Sequence, residues 1–279
     1  MESNTYWDTL LPCCQEQRVW ELFHENSKLS PFDIPLSPEA VLERLQTLQE
    51  TIEFHGYPSI KLPDTLLSLT CSLDEALRAR TSCRELQPYR FSIEELATLL
   101  QYGYGVNGRT RALPFPRATR VVPSAGALYP LELFFYSACL STLQPGVYHY
   151  HPPKHQLRFL RPGNHTATLA EMFVQSALVA QASLMVFIVG VFERSVFKYG
   201  ERGYRYLLLE AGHVAQNLNL TATALGIASV NLGGFFDRRL DQFLDLDGVT
   251  LSTLYCVAFG QAPTSSSTDP LPHSRKEPS

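Results

Sequence analysis

The chain has 279 residues, 45% of them hydrophobic, and 23 Lys and Arg against 27 Asp and Glu for a net charge of -4. That length builds a core without covalent staples, and that charge argues against binding nucleic acid through phosphate contacts. Six cysteines occur with no C-x-x-C pair, and Cys13 and Cys14 are adjacent, which fits reduced thiols and excludes a disulfide framework.

The start, MESNTYWDTL, has neither the basic head nor the apolar core of a signal peptide. The expectation is a cytoplasmic protein without a membrane span. Residues 1–70 read as an extension of short helices. In EAVLERLQTLQETI, Val41, Leu45, Leu48 and Ile52 fall on one face at helical spacing; that face packs on the main body or a dimer partner, or it docks a separate protein.

Ser72 with Glu75 and Ser92 with Glu95 are capping boxes and predict two helix starts. Between them lies RTSCR. If extended, it puts Arg80, Ser82 and Arg84 on one side, a row able to hold a phosphate by charge-assisted hydrogen bonds; a solvated charged turn is the plainer reading. GYGVNG at 103–108 fits G-x-G-x-x-G, but a helix is predicted before it and loop signals after it, so a helix cap and turn is expected instead of a dinucleotide site.

PSAGALYPLELFFYSACL, 123–140, passes from small residues into a strand in which Leu131, Leu133 and Phe135 alternate with other side chains. Its Ser124–Ala127 part has so little bulk that its backbone can lie against a flat ligand, or it is simply a tight loop. PGVYHYHPPKHQLRFL predicts a hairpin. Its His149, His151 and His155 lack a fourth ligand or a nearby carboxylate in sequence, so no metal site is predicted. The run ASLMVFIVGVF, 182–192, is eleven residues long, short of the ~20 that cross a bilayer, and predicts a buried strand.

KYGERGYRYLLLEAGHVAQNLNL, 198–220, predicts a long helix whose apolar residues follow helical spacing, buried on most sides, with Glu210, His213, Gln216 and Asn217 interrupting it. A helix start carries roughly +0.5 of a charge and disfavours cations. Lys198, Arg202 and Arg205 oppose that preference, so they meet anions or take part in chemistry; ion pairs with Glu201 and Glu210 are the plainer expectation for the two arginines. ASVNLGGFF and LSTLYCVAFG predict two last strands, the first ending in Gly233-Gly234, where backbone can approach a ligand. The polar, proline-rich tail 263–279 cannot bury enough apolar surface to order itself.

Taken in this order, RTSCR, PSAGALYPLE, PGVYHY, KYGERGYRYLLLEAGHVAQN and LGGF resemble the SagB-type dehydrogenases, the McbC-like branch of the nitroreductase family. The likeness spans 71–262, and WELFHENSK at 20–28 resembles that branch's N-terminal extension. It implies an α+β fold with a central, mostly antiparallel sheet wrapped by helices, as a homodimer with FMN in each interface cleft and the long helix as dimer core. By the same resemblance Arg80, Ser82 and Arg84 bind the FMN phosphate and ribityl chain. Pro123, Ser124 and Ala125 are laid against the isoalloxazine by the other subunit, and the amides of Gly233 and Gly234 point at the flavin N5 and O4. Lys198 and Tyr199 match the catalytic pair, and a lysine desolvated among cations is a usable base at neutral pH. Where the family adds basic residues after its last strand this chain reads QAPTSSSTDP, leaving Arg238 or Arg239 to complete the phosphate site.

The expected activity is FMN-dependent oxidation of thiazoline or oxazoline rings to thiazoles or oxazoles, in a modified peptide, a carrier-bound intermediate or a small molecule, alongside other biosynthetic enzymes. Two alternatives stay open: an NAD(P)H-dependent nitro- or quinone reductase, and a non-catalytic scaffold in a peptide-modifying complex that docks through the helix at 39–53.

Overall fold

The protein is described by a computed structural model covering residues 18–111 and 117–263; Cys13, Cys14 and the tail beyond Pro263 lie outside the described residues. Among the described residues two short helices come first, α1 (Val19–Asn26) and α2 (Pro38–Thr47). The Ser37 side chain caps α2 by accepting the Ala40 N–H, and Pro38 occupies the first turn, where its missing donor costs nothing. The helix stops short of the apolar spacing. Leu48 is already extended, and the Ile52 N–H donates to the Glu132 carboxylate at 2.9 Å. Satisfying a buried carboxylate outweighs one more helical turn, so Ile52 does not continue the face of Val41 and Leu45.

Strand β1 (Ser59–Lys61) comes next and joins the edge of the main sheet, so the segment before residue 71 also supplies part of the core architecture. Helices α3 (Leu73–Ala79) and α4 (Ile93–Tyr104) each open on a complete capping box, with Ser72 and Glu75, and Ser92 and Glu95, satisfying each other's backbone donors. Gly105 caps α4, and strand β2 (Val106–Arg111) then pairs with β3 (Arg117–Arg120). A helix before and a strand after is the reverse of what a dinucleotide loop needs: Gly105 is the expected cap, but Val106–Gly108 form the start of β2 where the sequence predicts a turn, because this stretch pairs with β3.

The remaining strands are β4 (Leu131–Ser137), β5 (Gly146–His151), β6 (Gln156–Pro162), β7 (Leu184–Val191), β8 (Ala228–Leu232) and β9 (Leu251–Gly260). With β1 they form a sheet of order β1-β6-β5-β4-β7-β9-β8, antiparallel at every pairing. Helices α5 (Thr166–Ala170) and α6 (Ser176–Gln181) precede β7. Then α7 (Glu193–Tyr199) and α8 (Arg202–Ala224) link β7 to β8, and α9 (Asp237–Phe243) lies between β8 and β9. Leu131, Leu133 and Phe135 of β4 pack with α4 and α8 on one face, while Phe134 and Tyr136 meet Leu240 and Phe243 of α9 on the other. Both faces are covered, which is why β4 is buried at every residue.

Residues 198–220 are not one helix. The chain breaks at Gly200 (φ 52°, ψ -143°), a conformation open essentially to glycine alone. Lys198 therefore belongs to the last turn of α7, where the helix dipole favours a cation. Helix α8 buries Leu207, Ala211, Val214 and Leu218, yet within one chain Leu208 and Leu209 are 44% and 61% exposed, so its outer face is open where the spacing predicts burial. Among the described residues no helix is long and apolar enough to cross a membrane.

Candidate functional site

Lys198 and Tyr199 end α7 side by side, Lys198 Nζ 5.1 Å from the centroid of the Tyr199 ring. Opposite them runs the loop 123–129. Gly126 has φ 64°, and a Cβ added there would stand 2.6 Å from Tyr199 Oη and 2.9 Å from Lys198 Nζ, so both conformation and proximity require glycine. Ala127 (φ 55°) and Tyr129 (φ 49°) are left-handed too, at a cost of roughly 1–2 kcal/mol each.

Hydrogen bonds hold that loop in shape. Ser124 Oγ accepts the Tyr129 N–H at 2.9 Å and donates to the Glu210 carboxyl. The Tyr104 hydroxyl donates to Glu210 at 2.8 Å and accepts the Leu131 N–H at 3.1 Å. Glu210 is 2% exposed. Burial raises its pKa to about 7 against the pull of the Ser124 and Tyr104 hydrogen bonds and of Arg120, whose guanidinium lies 4.2 Å from the Tyr104 ring centroid. Of the predicted contact residues Ser124 and Ala125 are half-buried and Pro123 is exposed.

The two arginines do not pair with Glu201 or Glu210. Arg202 Nη1 donates to Ser27 O at 3.2 Å; Arg205 donates from Nε to Ser27 Oγ at 2.8 Å and from Nη2 to His24 O at 2.5 Å. Their anions are the partial charges at the C-terminal end of α1, while Tyr104 and Ser124 already take up Glu210. Lys198 itself has no carboxylate partner among the described residues. It opens, with Tyr199, Glu201 and Arg202, into a cavity of about 600 Å³ whose far wall is the stretch 26–36.

Helix α7 is anchored from below. Arg194, one turn before Lys198, pairs with the buried Glu132 at 2.6 Å. Glu132 also takes His149 Nε2 at 2.7 Å and the Thr51 hydroxyl at 2.7 Å. Burial pushes the Glu132 carboxyl up, but Arg194 and His149 outweigh it and hold it well below the usual carboxylate range. Sequence reasoning passed over this hub; its one signal was a carboxylate inside the apolar strand LELFF. His151 contacts Glu53 and His155 contacts the Tyr150 hydroxyl.

A second group gathers at the sheet edge. Arg80 follows α3 and is half-buried, while Ser82 and Arg84 are exposed. Between the latter two, the Cys83 N–H donates to Ser229 O at 3.0 Å, which pins the stretch along β8. Ser82 and Arg84 line a cavity of about 540 Å³ with Val174, Gln175 and Asn231. Gly233 and Gly234 follow directly on β8: Gly234 O accepts the Val174 N–H at 2.8 Å, and neither glycine N–H has a partner among the described residues. Arg80 and Arg84 likewise make no ion pair there. The unpaired Arg84 guanidinium and the Ser82 hydroxyl on this cavity, with Arg80 two residues before Ser82 and the open amides following Leu232 of its lining, form a donor set that fits a phosphate-bearing flavin nucleotide. Arg239 is taken up by Glu171, donating to its carbonyl at 3.2 Å, and Arg238 is exposed.

Within one chain the structure thus brings Lys198 and Tyr199 to the Ser124–Gly126 loop, and Ser82 and Arg84 to the strand that carries Gly233 and Gly234. Lys198 and Tyr199 line one cavity, Ser82 and Arg84 another.

The pattern described as the nitroreductase family matches residues 77–261. A nitroreductase-family protein of Methanocaldococcus jannaschii is 34% identical over 187 residues, 67% of this chain and 89% of its own. The microcin B17-processing protein McbC of Escherichia coli is 32% identical over 50% of this chain and 54% of its own, and the trifolitoxin-processing protein TfxB of Rhizobium leguminosarum is 27% identical over 78% and 59%. The chain therefore spans little more than half the length of either processing protein. Among solved structures, one from the E. coli microcin synthetase McbBCD complex with truncated pro-MccB17 bound aligns over 88% of this chain and 92% of its own, with TM-score 0.58 and 24% identity, a likeness of fold.

Proposed function

The chain belongs to the nitroreductase family of oxidoreductases, and from that premise we propose that it is an FMN-dependent dehydrogenase that oxidises thiazoline or oxazoline rings in a peptide to thiazoles or oxazoles. The observation that carries this reading is the Lys198–Tyr199 pair, packed on Gly126 and open to a cavity of about 600 Å³. Similarity to two peptide-processing proteins supports it.

Arg80, Ser82 and Arg84 would hold the FMN phosphate and ribityl chain, and the free amides of Gly233 and Gly234 would face the ring where negative charge develops on reduction. Bound FMN supplies the acceptor for a hydride from the substrate ring. Lys198 removes the acidic proton beside the ring nitrogen, taking it on Nζ, and the Tyr199 hydroxyl orients the ring. Pro123, Ser124 and Ala125 come from a second copy of the chain, because the two groups lie apart in one copy. The open Leu208 and Leu209 face of α8 gives that copy an apolar surface to pack on. In a peptide pathway, other modifying enzymes are the further partners.

The test is mass spectrometry of a thiazoline-bearing peptide incubated with wild type, Lys198→Ala and Lys198→Arg. Wild type removes two hydrogens per ring. Both variants should lose roughly 10²–10⁴-fold in rate, since a guanidinium stays protonated and cannot replace the amine. Wild-type rates in both variants would remove Lys198 from the mechanism. A second reading, an NAD(P)H-dependent nitro- or quinone reductase, is favoured by the 34% identity to the M. jannaschii nitroreductase over 89% of its length; flavin reduction by NAD(P)H that is indifferent to Lys198 would select it.

A further inference from the structure

The cavity beside Lys198 has a wall that the proposed chemistry does not use. It is built by residues 26–36, and its attachment is specific: Arg202 and Arg205 grip the end of α1, and Arg44 of α2 pairs with Glu193 of α7. A closed turn stiffens the middle, Ser30 N–H donating to the Asp33 carboxylate at 2.7 Å and Asp33 N–H to Ser30 O at 3.1 Å.

Beyond that turn residues 33–37 form neither helix nor strand, and two features point to an extended path. Ile34 precedes Pro35, which disfavours the helical region, and Ser37 has φ -61° and ψ 152°. In an extended stretch alternate residues present their N–H groups on the same side. Those of Ile34 and Leu36 have no partner among the described residues, and Pro35 between them offers none. Two free donors at a period of two, on the rim of a cavity, are the main-chain pattern to which an extended peptide adds. Ile34 and Phe32 are 95% and 89% exposed beside them, apolar surface that such a peptide would cover and a lone ring would leave wet. The volume, about 600 Å³, falls within the ~300–1,000 Å³ of small-ligand sites.

We propose that the stretch 26–36 is a peptide-binding wall, along which an extended peptide pairs with Ile34 and Leu36 and lays one side group, a neutral heterocycle, into the cavity beside Lys198. The heterocycle as the reacting group rests on the function proposed above; the wall and its peptide occupant do not.

The experiment is an anisotropy titration of the full-length holoenzyme with a fluorescent peptide carrying one thiazole, a ring already oxidised and therefore inert. Val41→Trp fills the cavity from α2 and should weaken binding at least about tenfold. Leu36→Pro removes one donor but keeps an extended backbone, and should weaken it by about fivefold, the worth of one net hydrogen bond. Circular dichroism checks that each variant is folded; should Val41→Trp fail to fold, Leu36→Pro decides alone. No binding by wild type, or wild-type affinity in the folded variants, overturns the wall. A peptide that binds as expected while its thiazoline form is left unoxidised upholds the wall and refutes the dehydrogenase.

Discussion

Replacing Glu210 by Gln should remove a loss of stability that grows as pH rises between about 4.5 and 7. Glu210 is 2% exposed, and burial moves its pKa from 4.5 to about 7 in the folded chain. Below pH 4.5 the group is protonated in both states and its contribution is fully present. As pH rises, the unfolded chain releases the proton first while the folded chain must hold it, so stability falls by about 1.4 kcal/mol per pH unit until the folded group also ionises near pH 7. Over a gap of about 2.5 pH units that amounts to roughly 3 kcal/mol. Glu53, lowered to about 2 chiefly by its hydrogen bond from Lys154, acts in the opposite sense below this window, and His151 and His155, lowered chiefly by burial, act in the opposite sense within it; all three are common to both proteins and cancel in the difference between them. A glutamine can still accept the Tyr104 hydroxyl. The assay is urea unfolding of both proteins from pH 4 to 8 at one protein concentration, because association shifts apparent stability. The two should coincide near pH 4, and the variant should be the more stable by up to roughly 3 kcal/mol at pH 8. Parallel curves across the whole range would refute the burial argument for Glu210.

Arg80→Ala with Arg84→Ala should release FMN while the chain stays folded, because neither guanidinium has an ion pair to lose; full yellow absorbance after gel filtration contradicts the phosphate assignment. Gly108→Ala and Gly126→Ala both impose a side chain at positive φ, 75° and 64°, and each should lose about 1 kcal/mol in thermal unfolding. Only at Gly126 does the new Cβ meet Tyr199 and Lys198, whereas at Gly108 nothing lies within 4 Å. Activity should therefore fall in the Gly126 variant alone, and equal activity in the two would separate the loop from the pair.

Local rules were enough for the elements whose stability is local. Both capping boxes, the hairpin through Pro152, the strand at 184–191 and the cap at Gly105 of GYGVNG follow from side chains within a few residues of the backbone they act on. The order of the motifs, too, was enough to point to the fold. Periodicity failed where distant groups compete for the backbone. Helix α2 ends early because Ile52 and Thr51 serve Glu132, some eighty residues away in sequence. The cations of KYGERGYRY looked misplaced only as long as the stretch was read as one helix. Gly200 divides it, so that Lys198 falls at the favourable end of α7, while Arg202 and Arg205 find their negative partner at the end of α1, some 180 residues earlier. No local pattern encodes that meeting, because an electrostatic contact depends on separation in space, and separation in space between α1 and α8 is settled only when the whole sheet and its helices have packed.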